Sequence, residues 1–173
     1  MRIPASLVVL FGAASLLAAC GKSAPASSGS DQPSAPSEPA SSPAASTELT
    51  DAQKKAALAD LPAAYQTADL DNGQAKFALC KSCHTAVQGG GDMTGPNLFG
   101  VFGRKAGTKE GFAYSDAMKA SGITWDADKI NTWITKPSAM VPGTKMTYVG
   151  MSDAKDRTDL IAYLKTITTA PKS

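Results

Sequence analysis

The sequence predicts an all-α domain of short helices joined by long loops. Apolar residues recur at helical spacing in Ile130, Trp133 and Ile134, and again in Leu160, Ile161, Leu164 and Ile167. Turn residues crowd the stretches between, as in Gly89-Gly90-Gly91 and Gly95-Pro96. No segment shows the apolar–polar alternation of a strand. A chain of 173 residues suggests one domain plus extras. Its apolar content of 43% is globular, but 6% aromatic is low for a large self-sufficient core. The formal charge of +2 includes Arg2, and nothing in that balance points to nucleic acid.

Met1-Arg2 is a positive start, and Leu7 to Ala19 is an apolar stretch too short to span a bilayer. It ends in Leu17-Ala18-Ala19-Cys20, which resembles the lipobox of bacterial lipoproteins, where cleavage precedes a Cys that becomes acylated. The other reading is an ordinary secretory peptide with Cys20 merely near its end. Small residues before a Cys at the close of the apolar run favour lipidation, so residues 1–19 read as a lipoprotein signal peptide and Cys20 as the lipidation site. Several acyl chains hold a protein stably on a membrane, whereas one binds only marginally.

Residues 20–49 read as a flexible tether: from Gly21 to about Thr47 the chain is mostly Ser, Ala and Pro with scattered Gly, Lys, Asp, Gln and Glu, a composition that cannot bury enough surface to order itself. As a flexible coil of roughly 28 residues, this tether has an end-to-end distance of about 30 Å.

Residues 50–70 form a helical lead-in. Thr50-Asp51-Ala52-Gln53 has the order of a capping box, and an Ala-rich helix runs on to Leu61, stopped by Pro62. The sequence leaves open whether this segment packs on the domain. The domain itself occupies 71–173, where Asp71-Asn72-Gly73 punctuates the chain before a helix carrying Phe77 and Leu79. A short helix spans Ser115 to Ala120, capped by Ser115 and stopped by Gly122. Another starts at Asp126 and ends before Pro137, and the last runs from Ser152 to about Thr168.

The helix with Phe77 and Leu79 runs into Cys80-Lys81-Ser82-Cys83-His84. Two thiols three apart, followed directly by a histidine, read as a site for covalent attachment of a c-type haem. The thiols add across the haem vinyl groups, and the adjacent imidazole is held under the iron. A structural zinc site needs four ligands, but the chain has three Cys and one His, and Cys20 lies in a different kind of segment. A thioredoxin-like pair belongs in a βαβ pattern, and none is visible. A haem also supplies the apolar filler that the aromatic content lacks.

From Cys80 to Lys165 the chain resembles a class I c-type cytochrome of the mitochondrial and bacterial c2 type. The resemblance is carried by Thr94-Gly95-Pro96-Asn97-Leu98, Phe102-Gly103-Arg104-Lys105, Gly122-Ile123-Thr124-Trp125, Pro142-Gly143-Thr144-Lys145-Met146 and Asp159-Leu160-Ile161-Ala162-Tyr163-Leu164-Lys165. It implies the class I cytochrome c fold, with short helices and long loops wrapped around one covalent haem c. On residues alone Met93, Met118, Met140 and Met151 rival Met146, since a Met is more often core filler than a ligand. The resemblance picks Met146 as the second axial ligand opposite His84, a pairing that raises the iron's potential and leaves no open position. It further implies that the Pro96 carbonyl accepts from the His84 ring, and that Tyr114 and Trp125 bond a buried propionate with Arg104 nearby. Thr144 would bond the other propionate. Plain core packing is the bland reading of Tyr114 and Trp125. Gly73 would let the first domain helix cross the last closely, against Tyr163 and Leu160.

The chain departs from the family pattern on the methionine side, where Met118, Trp133 and Tyr148 replace Asn, Tyr and Phe. The lysine rim of the mitochondrial proteins is depleted as well: Leu79, Gly91, Met93, Ser138, Ala139, Ser152 and Asp153 stand at such positions, while Lys145 and Lys81 remain nearby. The function implied is a membrane-tethered one-electron carrier between a quinol-oxidising complex and a terminal oxidase or reductase, and not an enzyme. Its expected partners are redox proteins of the respiratory chain and, through the lipid anchor, the membrane, with no small-molecule substrate and no nucleic acid. The alternatives are a haem peroxidase or gas-binding protein with the sixth iron position open, and a structural lipoprotein with incidental haem. The location implied is the periplasmic cell envelope, at the outer face of the cytoplasmic membrane. Gly21 leaves an outer-membrane address open, because it lacks the Asp that retains lipoproteins in the inner membrane of enteric bacteria.

Overall fold

The computed structural model describes residues 49–170, so the expected signal peptide, the expected lipidation site Cys20 and the expected tether up to residue 48 lie outside the described residues. Seven helices appear in that span: α1 (Asp51–Ala59), α2 (Ala63–Gln66), α3 (Leu70–Lys81), α4 (Asp116–Ala120), α5 (Ala127–Thr135), α6 (Pro137–Met140) and α7 (Ala154–Thr168). Among the described residues the only extended pairing is one isolated antiparallel bridge, Lys105 to Thr124. The all-α expectation with long loops holds.

Most helix starts follow from a side-chain oxygen that satisfies an otherwise free N–H of the first turn. Thr50 and Gln53 close the expected capping box on α1, which ends at Ala59, slightly short of Leu61. Ser115 caps α4 through Met118 N–H, and Asp126 caps α5 through Lys129 N–H. Asp153 caps α7 through Asp156 N–H, so that helix starts at Ala154. Two one-turn helices were not foreseen. Pro62 and Pro137, which end the helices before them, each open a new one as N-cap and N1 residue.

The start of α3 corrects the sequence reading. Asp71-Asn72-Gly73 lies inside the helix, because the Asp69 carboxylate caps the N–H groups of Asp71 and Asn72. A local turn signal yields here to tertiary contacts with α7. Gly73 sits where a Cβ would run into the Asp159 carbonyl and lie 2.7 Å from Tyr163 Cβ, so the two backbones approach as no other residue allows. Beside this crossing, the Asp159 carboxylate is 2% exposed and accepts from Asp69 N–H (3.0 Å), Asn72 Nδ2 (2.7 Å) and Lys155 Nζ (2.6 Å). Burial pushes that carboxyl up, but these three donors outweigh it and hold it below its ordinary range. Phe77 and Tyr163 continue the junction with ring centroids 5.8 Å apart.

The lead-in packs on the domain. Leu58, Leu61 and Tyr65 are buried in the same core as α7, and the Tyr65 hydroxyl donates to Asp128 Oδ1 on α5 at 2.9 Å. Alongside α1, a groove is lined by Leu49, Ala52 and Ala56 together with Thr169 and Ala170. On α5 the periodic residues Ile130, Trp133 and Ile134 are all buried, as their spacing predicts. After α6 the chain returns to α5, where Met151 N–H donates to the Ile134 carbonyl.

Gly73→Ala should force α3 and α7 apart and lower stability by about 1–3 kcal/mol, the usual cost of overpacking. Chemical denaturation checks this: the midpoint should fall while the slope stays near that of the parent, and an unchanged midpoint would show that the crossing can relax.

Candidate functional site

A cleft of about 290 Å³ opens between α3, α5, α7 and the long loops. Its lining contains Cys80, Cys83, His84, Pro96, Arg104, Tyr114, Trp125, Thr144 and Met146, every site residue the sequence singled out within the described span. Cys20 lies outside it.

The first wall is built by the end of α3. The helix stops at Lys81, but Cys83 N–H (3.1 Å) and His84 N–H (2.9 Å) both still bond the Cys80 carbonyl. That last turn brings two thiols and an imidazole onto the same cleft. Burial, with Cys83 adding to it, pushes the Cys80 thiol up to about 11, so before any cofactor is attached it is a neutral thiol at physiological pH.

His84 is fixed more tightly. Its Nδ1 lies 2.7 Å from the Pro96 carbonyl, and since a carbonyl only accepts, Nδ1 carries the proton. Burial lowers the pKa of the ring against the pull of that hydrogen bond, which keeps the imidazole neutral and leaves Nε2 with its lone pair. A neutral imidazole whose far nitrogen is tied to a carbonyl is a prepared metal ligand. Gly95 permits the arrangement, since a Cβ there would fall on the imidazole ring itself. The loop is stitched by Gly95 N–H to the Cys83 carbonyl and Leu98 N–H to the Thr85 carbonyl, both 2.8 Å. Asn97, 3% exposed, donates from its side chain to Thr85 Oγ1, the Val87 carbonyl and the Gly90 carbonyl.

The opposite wall narrows the choice of methionine. Of the rivals, Met93, Met140 and Met151 do not border the cleft, while Met118 and Met146 do. Met118 is buried in α4, and Met146 follows a turn in which Thr144 Oγ1 accepts from Met146 N–H at 3.2 Å. Thr144 thereby keeps its own hydroxyl proton for another acceptor. Arg104 donates to the Asn97 carbonyl at 3.1 Å, and burial raises the Tyr114 hydroxyl above its ordinary range, chiefly against Arg104. Trp125 and Trp133 stack tilted, 5.5 Å between centroids, along the same wall. Sequence reasoning missed Asn97 as an organiser and Asp92, whose Oδ1 accepts from Asn97 N–H at 2.7 Å. Their only visible signal is a pair of polar residues flanking the Gly95-Pro96 turn.

Two thiols, an imidazole Nε2 and a thioether around an apolar cleft, with a glycine removed from the path of the imidazole, fit a haem c. When bound, the haem contributes an iron that gains and loses one electron; the chain contributes ligands, orientation and exclusion of water. Such a donor set in an all-α frame defines an electron carrier of the class I c type.

Comparison with known proteins agrees. The family described as Cytochrome c matches residues 70–168. A cytochrome c2 from Blastochloris viridis is 48% identical over 104 residues, covering 60% of this chain and 80% of that protein. A cytochrome c from Gibberella zeae is 48% identical over 98 residues, covering 56% of this chain and 92% of that one. The solved structure of cytochrome cH from Methylobacterium extorquens superposes with a TM-score of 0.52 at 48% identity, over 57% of this chain and 98% of that chain. The chain belongs to the cytochrome c family. It is thus a haem-based electron carrier rather than an enzyme, with one covalently attached haem c.

Gly95→Ala should displace the His84 ring from the Pro96 carbonyl, because the new methyl and the imidazole claim the same space. In the haem-loaded protein the His84 ring resonances should move and the unfolding midpoint should drop. Resonances matching the parent would mean that the loop accommodates a Cβ.

Proposed function

We propose that this protein is a membrane-tethered one-electron carrier in which His84 and Met146 are the axial iron ligands. Cys80 and Cys83 hold the haem covalently. The observation that carries this reading is that His84 and Met146 border one apolar cleft, each with its backbone or ring fixed by a hydrogen bond. Rigid ligands and a dry pocket keep reorganisation between the two oxidation states small, which is what fast one-electron exchange requires. Tyr114, Trp125 and Arg104 would hold one propionate of the haem, and Thr144 would donate its free hydroxyl proton to the other. Each such contact offsets the cost of placing a carboxylate beside apolar groups.

The electrons pass between respiratory partners, from a quinol-oxidising complex to a terminal oxidase or reductase. The protein works in the periplasm, held through acylated Cys20 at the outer face of the cytoplasmic membrane. Docking on those partners rests more on apolar contact than on charge steering. Lys145 Nζ is tied to the Ala113 carbonyl at 2.8 Å, and Lys81 Nζ lies 5.9 Å from the centre of the Phe77 ring. Leu79, Val87 and Met93 are meanwhile exposed. A carrier confined to a membrane surface needs less long-range attraction to find its partner.

Met146→Ala should abolish the weak far-red sulfur-to-iron band and open the iron to carbon monoxide or imidazole. Met118→Ala, Met140→Ala and Met151→Ala should keep that band. Loss of the band in Met118→Ala with retention in Met146→Ala would reverse the assignment. The tether is checked separately: Cys20→Ser should leave the haem spectrum intact and release the protein from membranes. A variant that still pellets with membranes after a salt wash would remove the lipid anchor from this reading.

A further inference from the structure

The peptide unit joining Pro96 to Asn97 is engaged at both ends. Its carbonyl accepts from His84 Nδ1 at 2.7 Å, and its N–H donates to Asp92 Oδ1 at 2.7 Å. Asp92 in turn faces Lys109, whose Nζ is 2.9 Å from each carboxylate oxygen. The amide cannot swing away, because the Asn97 side chain is pinned by three acceptors and its Oδ1 accepts from Phe99 N–H at 2.7 Å. A carboxylate, an amide and an imidazole therefore form one hydrogen-bonded chain.

We propose that Asp92 is a positioning residue that tunes His84 through the Pro96–Asn97 amide, with Lys109 as the counter-charge that moderates it. The inference rests on the reading of His84 as an iron ligand. Hydrogen bonds in a chain polarise one another away from bulk water. A carboxylate drawing on the amide N–H puts negative charge on the Pro96 oxygen, which then pulls harder on the Nδ1 proton. The imidazole becomes a stronger donor at Nε2, and an electron-rich axial ligand favours the ferric over the ferrous state. Lys109 withdraws charge from the carboxylate and acts the opposite way. The Asn97 N–H and Lys109 contacts also hold Asp92 below the ordinary carboxylate range, so it is an anion at neutral pH.

The bland alternative is a loop clasp. The Lys109 and Asp92 side chains are 24% and 23% exposed, and an ion pair so placed ordinarily contributes little. A clasp affects stability but has no reason to move the reduction potential in opposite directions when either partner is removed. Simple charge removal does, so the test needs a third variant: Glu110→Gln, where Lys109 touches only the backbone carbonyl and the substitution changes an exposed side-chain carboxylate outside the chain of bonds.

The experiment is redox titration of the haem-loaded protein, with the His84 Hδ1 and Asn97 amide proton resonances of the reduced state recorded in parallel. Asp92→Asn should raise the potential by clearly more than Glu110→Gln does, and Lys109→Met should lower it. Both proton resonances should shift in opposite senses in those two variants and stay in place in Glu110→Gln. An Asp92→Asn shift no larger than that of Glu110→Gln, or resonances that ignore both substitutions, would overturn the relay. Should Asp92→Asn fold poorly, the response of the His84 and Asn97 resonances to Lys109→Met decides alone. If the parent itself shows no iron-bound imidazole resonances from His84, the ligand reading fails; a normal parent with unresponsive variants sinks only the relay.

Discussion

The approach of α3 to α7 at Gly73 is the constraint on which the rest of the molecule depends. A helix pair that touches backbone to backbone has its angle and register set within narrow limits, because no side chain is present to act as a cushion. From that fixed point α3 runs through Phe77 to Cys80, while α7 sends Leu160 and Leu164 into the same cleft. The buried Asp159 carboxylate locks the corner by joining the cap of α3, its first turn and the first turns of α7. Burying a carboxylate is costly, and three donors including an ammonium are the response expected on physical grounds.

Around the cleft, order comes from polar stitching as much as from apolar packing. The loop from Thr85 to Leu98 contains no helix, yet the Asn97 side chain, with backbone bonds around it, gathers its turns through donors and acceptors at 2.6–3.0 Å. Among the described residues no buried side-chain nitrogen or oxygen lacks a partner. A small domain poor in aromatics can hold a large apolar cofactor this way: the loops are fixed by hydrogen bonds, and their apolar side chains are left facing the cleft.

Much of this was legible in the residues. Periodicity found the buried face of α5 and that of α7, and cap chemistry placed the starts of α1 and α4. The thiol–imidazole motif identified the cofactor, and the family resemblance supplied the other residues of the cleft. What stayed hidden depended on partners distant in sequence. Asp71-Asn72-Gly73 has the composition of a turn, and it is helical because Asp69 caps it and because Asn72 bonds Asp156 and Asp159, more than eighty residues away. Asp92 and Lys109 are ordinary surface charges until folding brings them together. Nor does any local pattern say that a proline ending one helix will open the next, as Pro62 and Pro137 do.

The groove beside α1 has a consequence for how the domain is built into a longer chain. Leu49 borders it from one end of the described chain and Thr169 and Ala170 from the other, so entry and exit lie side by side. Such a domain can be inserted whole into an exposed loop of another protein, or reopened at one of its own surface loops, with the helix crossing and the cleft left untouched.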